Sequence, residues 1–244
     1  MTTAPPPQEN AGLTSLIETI VAPASAFDRL AEKQTWGWAF IASSVLTAVG
    51  ALASGRYLSQ LMMEHKVAAA TTPQQAAAAA NIGKLIEKFS TFRSLAAPLE
   101  ILWLILVVTV ILFIFNAIFG GKATFKQLWC AAMNASIVVA VGALLGSIAM
   151  VLRGADSATN LVDFYRDTIT LAAVIPTANV KVLGFLASIS PFALWQIWLN
   201  ALIMQRIARL AAPKAWAAAL AVFFLPLVLI GSIILIGSSS VSPR

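Results

Sequence analysis

Apolar runs of about twenty residues recur along this sequence, and they constrain its fold more than any other feature. Five such runs occupy residues 36–55, 99–118, 127–152, 182–204 and 215–237. Each is close to the ~20 helical residues that cross ~30 Å of hydrocarbon. Hydrophobic residues make up 59% of the chain and charged residues 11%, against roughly 45–50% and about 25% in soluble domains. We therefore expect an all-α, polytopic transmembrane helix bundle of five spans, a membrane domain over 36–237 in contact with the lipid bilayer.

Two prolines and two glycines interrupt these runs. Pro191 lies in the fourth run and Pro226 in the fifth. Spanning helices tolerate proline when neighbouring groups satisfy the freed backbone, so both positions predict kinks rather than helix ends. Gly142 and Gly146 are four residues apart in the third run, a spacing that lets another helix approach closely. Packing within one bundle is favoured over a dimer interface, although a homo-oligomer stays open.

Shorter amphipathic segments lie outside the spans. Residues 1–12 predict a disordered tail, and 238–244 a short C-terminal tail. Residues 13–35 predict two cytoplasmic amphipathic helices separated at Pro23, the first too short to span a bilayer. The apolar face of the first helix contains Leu13, Leu16, Ile17, Ile20 and Val21. A further interfacial helix on the outer side is predicted within the link 64–98 from Ile82, Leu85, Ile86 and Phe89.

The basic residues of the short links predict the orientation of the chain. The links 119–126 and 205–214 contain five basic residues and no acid, namely Lys122, Lys126, Arg206, Arg209 and Lys214. The longer links 64–98 and 153–181 mix both signs. Because cytoplasmic loops carry an excess of lysine and arginine, we expect the short links and the N-terminus in the cytoplasm. With five spans the C-terminus then lies outside, in a multi-pass protein of the cytoplasmic (inner) membrane.

Residues that could perform catalysis or bind a metal are sparse. His65 is the only histidine and Cys130 the only cysteine, and they fall on different segments. A metal site or a nucleophile–base pair needs partners, so no catalytic residue, metal or cofactor is predicted. The net charge of +6 comes from basic residues at the ends of apolar runs, where they meet lipid headgroups. Nucleic acid is therefore not an expected partner, and the chain is not expected to be an enzyme.

Uncharged polar side chains fall in the inner halves of the predicted spans. The candidate set is Ser43, Ser44, Asn116, Asn134, Gln196 and Asn200. Gln196 and Asn200 are four residues apart and share a helix face. One interpretation is interhelical hydrogen bonding that holds the bundle together. The other is a polar cavity open to the cytoplasm.

Glu100 is the only acid inside a predicted span. An ionisable side chain at membrane depth is a functional candidate. Its position near the outer headgroups also suits a structural role, in which it reaches the interface or pairs with Arg93 or Arg56.

Several of these patterns together resemble the Yip1 domain family. The resemblance extends from about Pro23 to Gly237 and begins with a Pro-x-x-x-Phe-x-x-Leu segment and an aromatic-led first span. It continues with Gly-Gly-Lys-Ala-Thr-Phe-Lys-Gln-Leu at 120–128 and Phe-Ala-Leu-Trp at 192–195. The resemblance implies a five-helix bundle with a cytoplasmic N-terminus.

The resemblance does not carry over every property of the family. Eukaryotic members bind Rab-type GTPases through a longer cytoplasmic arm with an Asp-Leu-Tyr-Gly-Pro motif. This chain lacks that motif, since its only tyrosines are Tyr57 and Tyr165. Rab-type GTPase binding is therefore not expected, and the compact form is similar to the prokaryotic branch, whose function is generally unassigned.

Two functions remain open on the sequence. The favoured hypothesis is a membrane scaffold, membrane-organising or accessory factor without catalysis, with other membrane proteins as partners. The alternative is a small-solute or ion permease or channel that uses the inner polar set. A polar cavity reaching past the midplane, beside a broken helix, would favour transport.

Overall fold

The structure is a computed structural model that describes residues 10–61, 71–153, 169–175, 177 and 179–239. These residues form eight α-helices and one short 3-10 turn, with no strand among them. The protein is therefore all-α, as its sequence predicts. The chain divides into two compact units that each draw on several helices. The first comprises Met1–Trp36, Leu104–Ala135 and Gln196–Arg244, and the second comprises Gly37–Trp103 and Ser136–Trp195.

The first two helices are α1 (Ala11–Val21) and α2 (Pro23–Glu32). Asn10 begins α1 by accepting a hydrogen bond from the Leu13 backbone, so the helix starts inside the predicted tail. Proline at the first position of α2 separates the two, because it has fixed φ and no N–H to donate.

The packing of α1 is inverted relative to a helix on a soluble protein. Its small polar residues Ser15 and Thr19 are fully buried, and their hydroxyls donate to backbone carbonyls one turn earlier. Leu13, Ile17 and Ile20 of the apolar face remain 41%, 53% and 40% exposed. An ion pair between Glu18 and Arg29, with 2.8 Å between Oε1 and Nη2, ties α1 to α2. Leu16 of the same face is buried at 8% exposure. The helix thus presents most of its apolar residues outward, which suits a lipid surface rather than water.

Three long apolar helices follow: α3 (Gly37–Leu61), α4 (Pro73–Ile118) and α5 (Phe125–Arg153). Each is long and apolar enough to cross a membrane. A capping box opens α5, since Gln127 Oε1 accepts from the Thr124 backbone and Thr124 Oγ1 accepts from the Gln127 backbone.

Helix α4 corrects one expectation from the sequence. The predicted outer interfacial helix over 82–89 is helical, but it is not a separate element. It continues through Pro98 into the second span as one helix of 46 residues, about 69 Å long at 1.5 Å per residue. Proline removes a single backbone donor here without ending the helix, as spanning helices allow.

The predicted fourth span is broken at its proline. Helix α6 (Val180–Ser188) ends three residues before Pro191, where α7 (Pro191–Arg206) begins, and the two helices are bent by 58°. The expectation of a kink within one helix is wrong at this position, because Ser190 caps a new helix by accepting from the Ala193 backbone at 3.0 Å. A 3-10 turn, Leu171–Ala173, packs against α6.

The last helix, α8 (Ala212–Ser239), continues through Pro226, as expected for a kink. The described residues give three candidate spans, or four if the bent pair of α6 and α7 counts as one. Side chains of α8 are described as far as Val228, so the count of five spans stays a prediction. Of the predicted tails 1–12 and 238–244, residues 1–9 and 240–244 lie outside the described residues.

Candidate functional site

Asn134 joins the third span to the segment that leads into the first. Its side chain is 1% exposed, and Nδ2 donates to the carbonyl oxygens of Thr35 and Cys130, both at 2.8 Å. Two turns earlier in α5, Gln127 Nε2 donates to the Ala31 carbonyl at 2.9 Å. Two side chains of α5 therefore hold the last turn of α2 and the backbone that follows it in place.

Asn116 closes the turn between α4 and α5. Its Nδ2 donates to the Ala123 carbonyl at 3.0 Å, and its Oδ1 accepts from the Ala123 backbone at 3.3 Å. Gly120 has a φ of +72°, a conformation that favours glycine. A Cβ at Gly121 would lie 2.1 Å from Asn116 Oδ1, so the close turn requires glycine there.

The amides of Gln196 and Asn200 meet on α7. Gln196 Nε2 donates to Asn200 Oδ1 at 3.3 Å, and Asn200 is 1% exposed. Gln196 Oε1 is buried without a hydrogen-bond partner among the described residues. The described hydrogen bonds do not join this pair to Asn134 or Asn116.

Two serines of α3 complete the predicted polar set. The hydroxyls of Ser43 and Ser136 lie 3.0 Å apart and link α3 to α5. The Ser44 hydroxyl is buried, and the described residues offer it no partner. The sequence suggested one polar cluster, whereas the structure distributes its members over separate contacts. The contacts of Asn134 and Ser43 join separate segments of the fold and the contact of Asn116 closes a turn, which favours a structural role for these three.

Glu100 takes part in an ion pair along α4. Arg93 donates through Nη2 and Nε to the two carboxylate oxygens of Glu100, at 2.8 and 3.1 Å. This hydrogen bond raises the pKa of the Arg93 guanidinium above its ordinary value. Both side chains remain about half exposed. Of the two partners considered from the sequence, Arg93 is the one that binds Glu100, while Arg56 is exposed on α3.

A cavity of about 440 Å³ lies at the break between α6 and α7, within the second unit. It is lined by small and apolar residues together with several serines. The hydroxyls of Ser54, Ser147 and Ser188 donate to backbone carbonyls of their own helices. Few hydrogen-bond donors therefore remain free for a polar solute.

The two glycines of the third span differ in their surroundings. A Cβ at Gly142 would lie 2.5 Å from Cγ of Phe192, so this glycine admits the aromatic ring against the α5 backbone. Around Gly146 nothing lies within 4 Å of the added Cβ. Close packing inside the protein thus accounts for Gly142 alone.

Another cavity, of about 460 Å³, lies in the first unit beside the short links. We call it the link pocket and define it by Asp28, Glu32, Lys122, Gln127, Arg206 and Arg209. Arg206 pairs with Asp28 at 3.5 Å between Nη1 and Oδ2. The sequence marks the basic links, but it does not reveal that the acids of α2 face them.

Side chains that could bind a metal do not cluster in the described part of the chain. No group of three or more His, Cys, Asp or Glu side chains there could hold a metal ion. Cys130 is fully buried on α5. His65 lies outside the described residues.

Comparison with known proteins identifies the family. The model of the Yip1 domain matches residues 17–235, which is most of the chain. No curated protein matches the chain significantly, and no solved structure does. The apolar helices and the family together make this a multi-pass membrane protein in contact with lipid. The match covers the helices from α1 to α8, and the chain belongs to the Yip1 domain family.

Proposed function

We propose that this protein is a non-catalytic membrane-organising scaffold whose N-terminal helices and short links lie on the cytoplasmic side of the inner membrane. The observation that carries the proposal is the inverted packing of α1. Its polar residues Ser15 and Thr19 pack inward, while Leu13, Ile17 and Ile20 face outward. A helix of this kind docks its apolar face at the boundary between headgroups and acyl chains.

The exposed face is large enough to hold α1 at a membrane surface. Leu13, Ile17, Ile20 and Val21 are 41%, 53%, 40% and 72% exposed. Together they offer the area of about two whole apolar side chains, worth about 3–6 kcal/mol on transfer from water. The polar set supports the same function, because the Asn134 and Asn116 amides are committed to backbone groups of the fold.

A label on α1 tests the membrane contact. Nitroxides are placed at Ile17→Cys or Ser25→Cys in the full chain, with Cys130→Ala as the background, in proteoliposomes. Both positions are exposed, but Ser25 belongs to α2 and not to the apolar face of α1. We expect oxygen to relax the label at 17 and a water-soluble nickel chelate to relax the label at 25. Equal access of the nickel chelate to both positions would contradict docking.

Affinity purification in mild detergent tests the scaffold role. Partners recovered with the wild type should be lost with Ile17→Asp and kept with Ser25→Asp. The two variants add the same charge at exposed positions on neighbouring helices. If both variants retain every partner, α1 does not organise other proteins.

The broken helix supports one alternative, a small-solute or ion permease. The 58° bend between α6 and α7 lies beside the cavity of about 440 Å³, and transporters place their sites beside broken helices. Substrate-dependent flux in proteoliposomes, abolished by Gly142→Leu, would favour this function over the scaffold. The bound donors of the lining serines argue against a polar solute in this cavity.

A further inference from the structure

The link pocket has a fixed backbone frame. Gln127 holds α2 through the Ala31 carbonyl at 2.9 Å. The Lys122 backbone donates to the Ala208 carbonyl at 3.0 Å and so joins the two short links. Beyond α7, Arg209 adopts the left-handed conformation with a φ of 57°. The Leu210 backbone donates to the Met204 carbonyl at 3.0 Å and closes that turn. The basic side chains therefore extend from a preorganised frame.

The charges of the pocket do not balance. Lys122, Arg206 and Arg209 supply three positive charges, and Asp28 and Glu32 supply two negative charges. Arg206 is engaged with Asp28. Within the described residues, the side chains of Lys122 and Arg209 have neither an ion pair nor a hydrogen bond. One monoanion in the pocket would bring its formal charge to zero.

The side chains of Arg209 and Lys122 determine which kind of anion the pocket can bind. Arginine offers a planar fork of donors that matches phosphate oxygens, and lysine binds phosphate as a point charge. A phosphodiester carries one negative charge and so matches the excess. The cavity of about 460 Å³ falls in the size range of small-molecule sites, about 300–1,000 Å³.

The position of the pocket along the chain indicates where the phosphodiester comes from. Lys122 follows the end of α4 at Ile118 by four residues, and Arg206 is the last residue of α7. Both therefore lie where apolar helices end, at the level expected for lipid headgroups. Basic pockets between spanning helices on the cytoplasmic side bind headgroups of anionic lipids.

We propose that the link pocket binds the phosphodiester of an anionic phospholipid, with Arg209 and Lys122 as its principal ligands and Arg206 as a third. The site does not depend on the scaffold function. Asp28 and Glu32 restrict the pocket to a monoanion, because they lower its formal charge to +1 and a second negative charge would exceed that excess. The same chemistry could accept a soluble phosphate ester, and the experiment separates these sources.

The test uses the full chain purified in mild, lipid-free detergent. Phosphatidylglycerol or phosphatidylcholine is added, and retained lipid is counted by native mass spectrometry, together with the shift in thermal unfolding. Two double variants remove the same charge from the same links. Arg209→Gln with Lys122→Gln changes the pocket, whereas Lys126→Gln with Lys214→Gln changes exposed lysines that do not line it.

We expect the wild type and the control double variant to retain phosphatidylglycerol in preference to phosphatidylcholine. The pocket double variant should lose at least about tenfold in affinity for phosphatidylglycerol, which corresponds to about 1.4 kcal/mol. Equal losses in both double variants would show only diffuse surface charge and would overturn the proposal. Absence of any preference for phosphatidylglycerol would also overturn it.

Two further arms complete the test. Glycerophosphoglycerol, the soluble phosphodiester that corresponds to the lipid headgroup, and inorganic phosphate are added as competitors; displacement of the lipid at equal concentration would overturn the lipid as the ligand. Unchanged unfolding of the pocket variant without lipid establishes that it is folded. If the pocket double variant is not folded, the charge-preserving variant Arg209→Lys with Lys122→Arg is measured instead. It should retain most of the phosphatidylglycerol binding, and loss of that binding would overturn the proposal.

Discussion

Asn134 provides the sharpest test of how the polar set acts. Asn134→Leu conserves the size of the side chain and removes its amide. The Thr35 carbonyl then loses its donor at 2.8 Å. The Cys130 carbonyl also loses the amide, but it lies one helical turn earlier on the same helix, so that bond does not join two segments. Gln196→Met is the matched control, because the Gln196 amide bonds only within α7 among the described residues and its Oε1 has no partner there.

The expected cost follows from the bond that is lost. Hydrogen bonds between membrane helices average about 0.6 kcal/mol and reach about 1.7 kcal/mol. Asn134 is 1% exposed, and a buried carbonyl without a partner adds to the loss. We expect Asn134→Leu to lower the free energy of unfolding by about 1–2 kcal/mol. Gln196→Met should lower it by at most about 0.6 kcal/mol, because the Asn200 Oδ1 loses a long bond of 3.3 Å while the unsatisfied Gln196 Oε1 is removed.

Unfolding with sodium dodecyl sulfate in mild detergent, followed by far-ultraviolet circular dichroism, measures both variants. Hydrogen exchange over residues 31–36 should quicken in Asn134→Leu and not in Gln196→Met, because Asn134 holds that backbone. Equal destabilisation by the two variants, or unchanged exchange in this segment, would refute the argument that the amide works as a structural bond. A cysteine at 134 that reacts from the cytoplasm with a water-soluble reagent would instead indicate a cavity.

Further predictions follow from the same structure. A reporter fused after Arg244 should lie outside the cell and one within 205–214 inside it, and the opposite result in cells would reverse the orientation. Gly142→Ala should lower the free energy of unfolding by about 1–3 kcal/mol, because the added methyl group meets the ring of Phe192. Gly146→Ala should raise the free energy of unfolding by about 0.5–1 kcal/mol, because alanine favours the helix and no atom lies near the added methyl group. Detergent unfolding measures both. Glu100→Gln should cost less than about 1 kcal/mol, and the cost should fall further in 0.5 M salt if the half-exposed ion pair is screened.

The sequence predicts the helical class well because spanning length and apolar periodicity are local properties. The break at Pro23 and the capping box at Thr124 were also readable, since each involves neighbours in the chain. The prolines differ in whether the helix continues through them, and the residue before each proline accounts for the difference. Ser190 precedes Pro191 and caps a new helix, whereas Ala97 and Leu225 precede prolines through which the helix continues. A capping residue before proline is thus a helix-start signal even within an apolar run.

The partners of the polar residues could not be predicted from local patterns. Asn134 binds a carbonyl 99 residues earlier in the chain, and backbone carbonyls carry no side-chain signature. The link pocket shows the same limit, because Asp28 and Arg206 meet only after helix packing. The charge excess of the links was visible in the sequence, but the two carboxylates that reduce it were not. Periodicity gives the face of a helix, and packing decides what that face meets.

The attachment of the N-terminal segment to α5 has a consequence for the order of assembly during synthesis. Ala31 and Thr35 receive their hydrogen bonds from Gln127 and Asn134, residues made 96 and 99 positions later. The first span therefore enters the membrane while the segment before it still lacks its anchors. That segment reaches its final position only after α5 has inserted beside it. The N-terminal segment thus reaches its final contacts only after α5 has been made. In a chain stalled on the ribosome before α5, α2 should be accessible to protease, whereas in the finished protein it should be resistant.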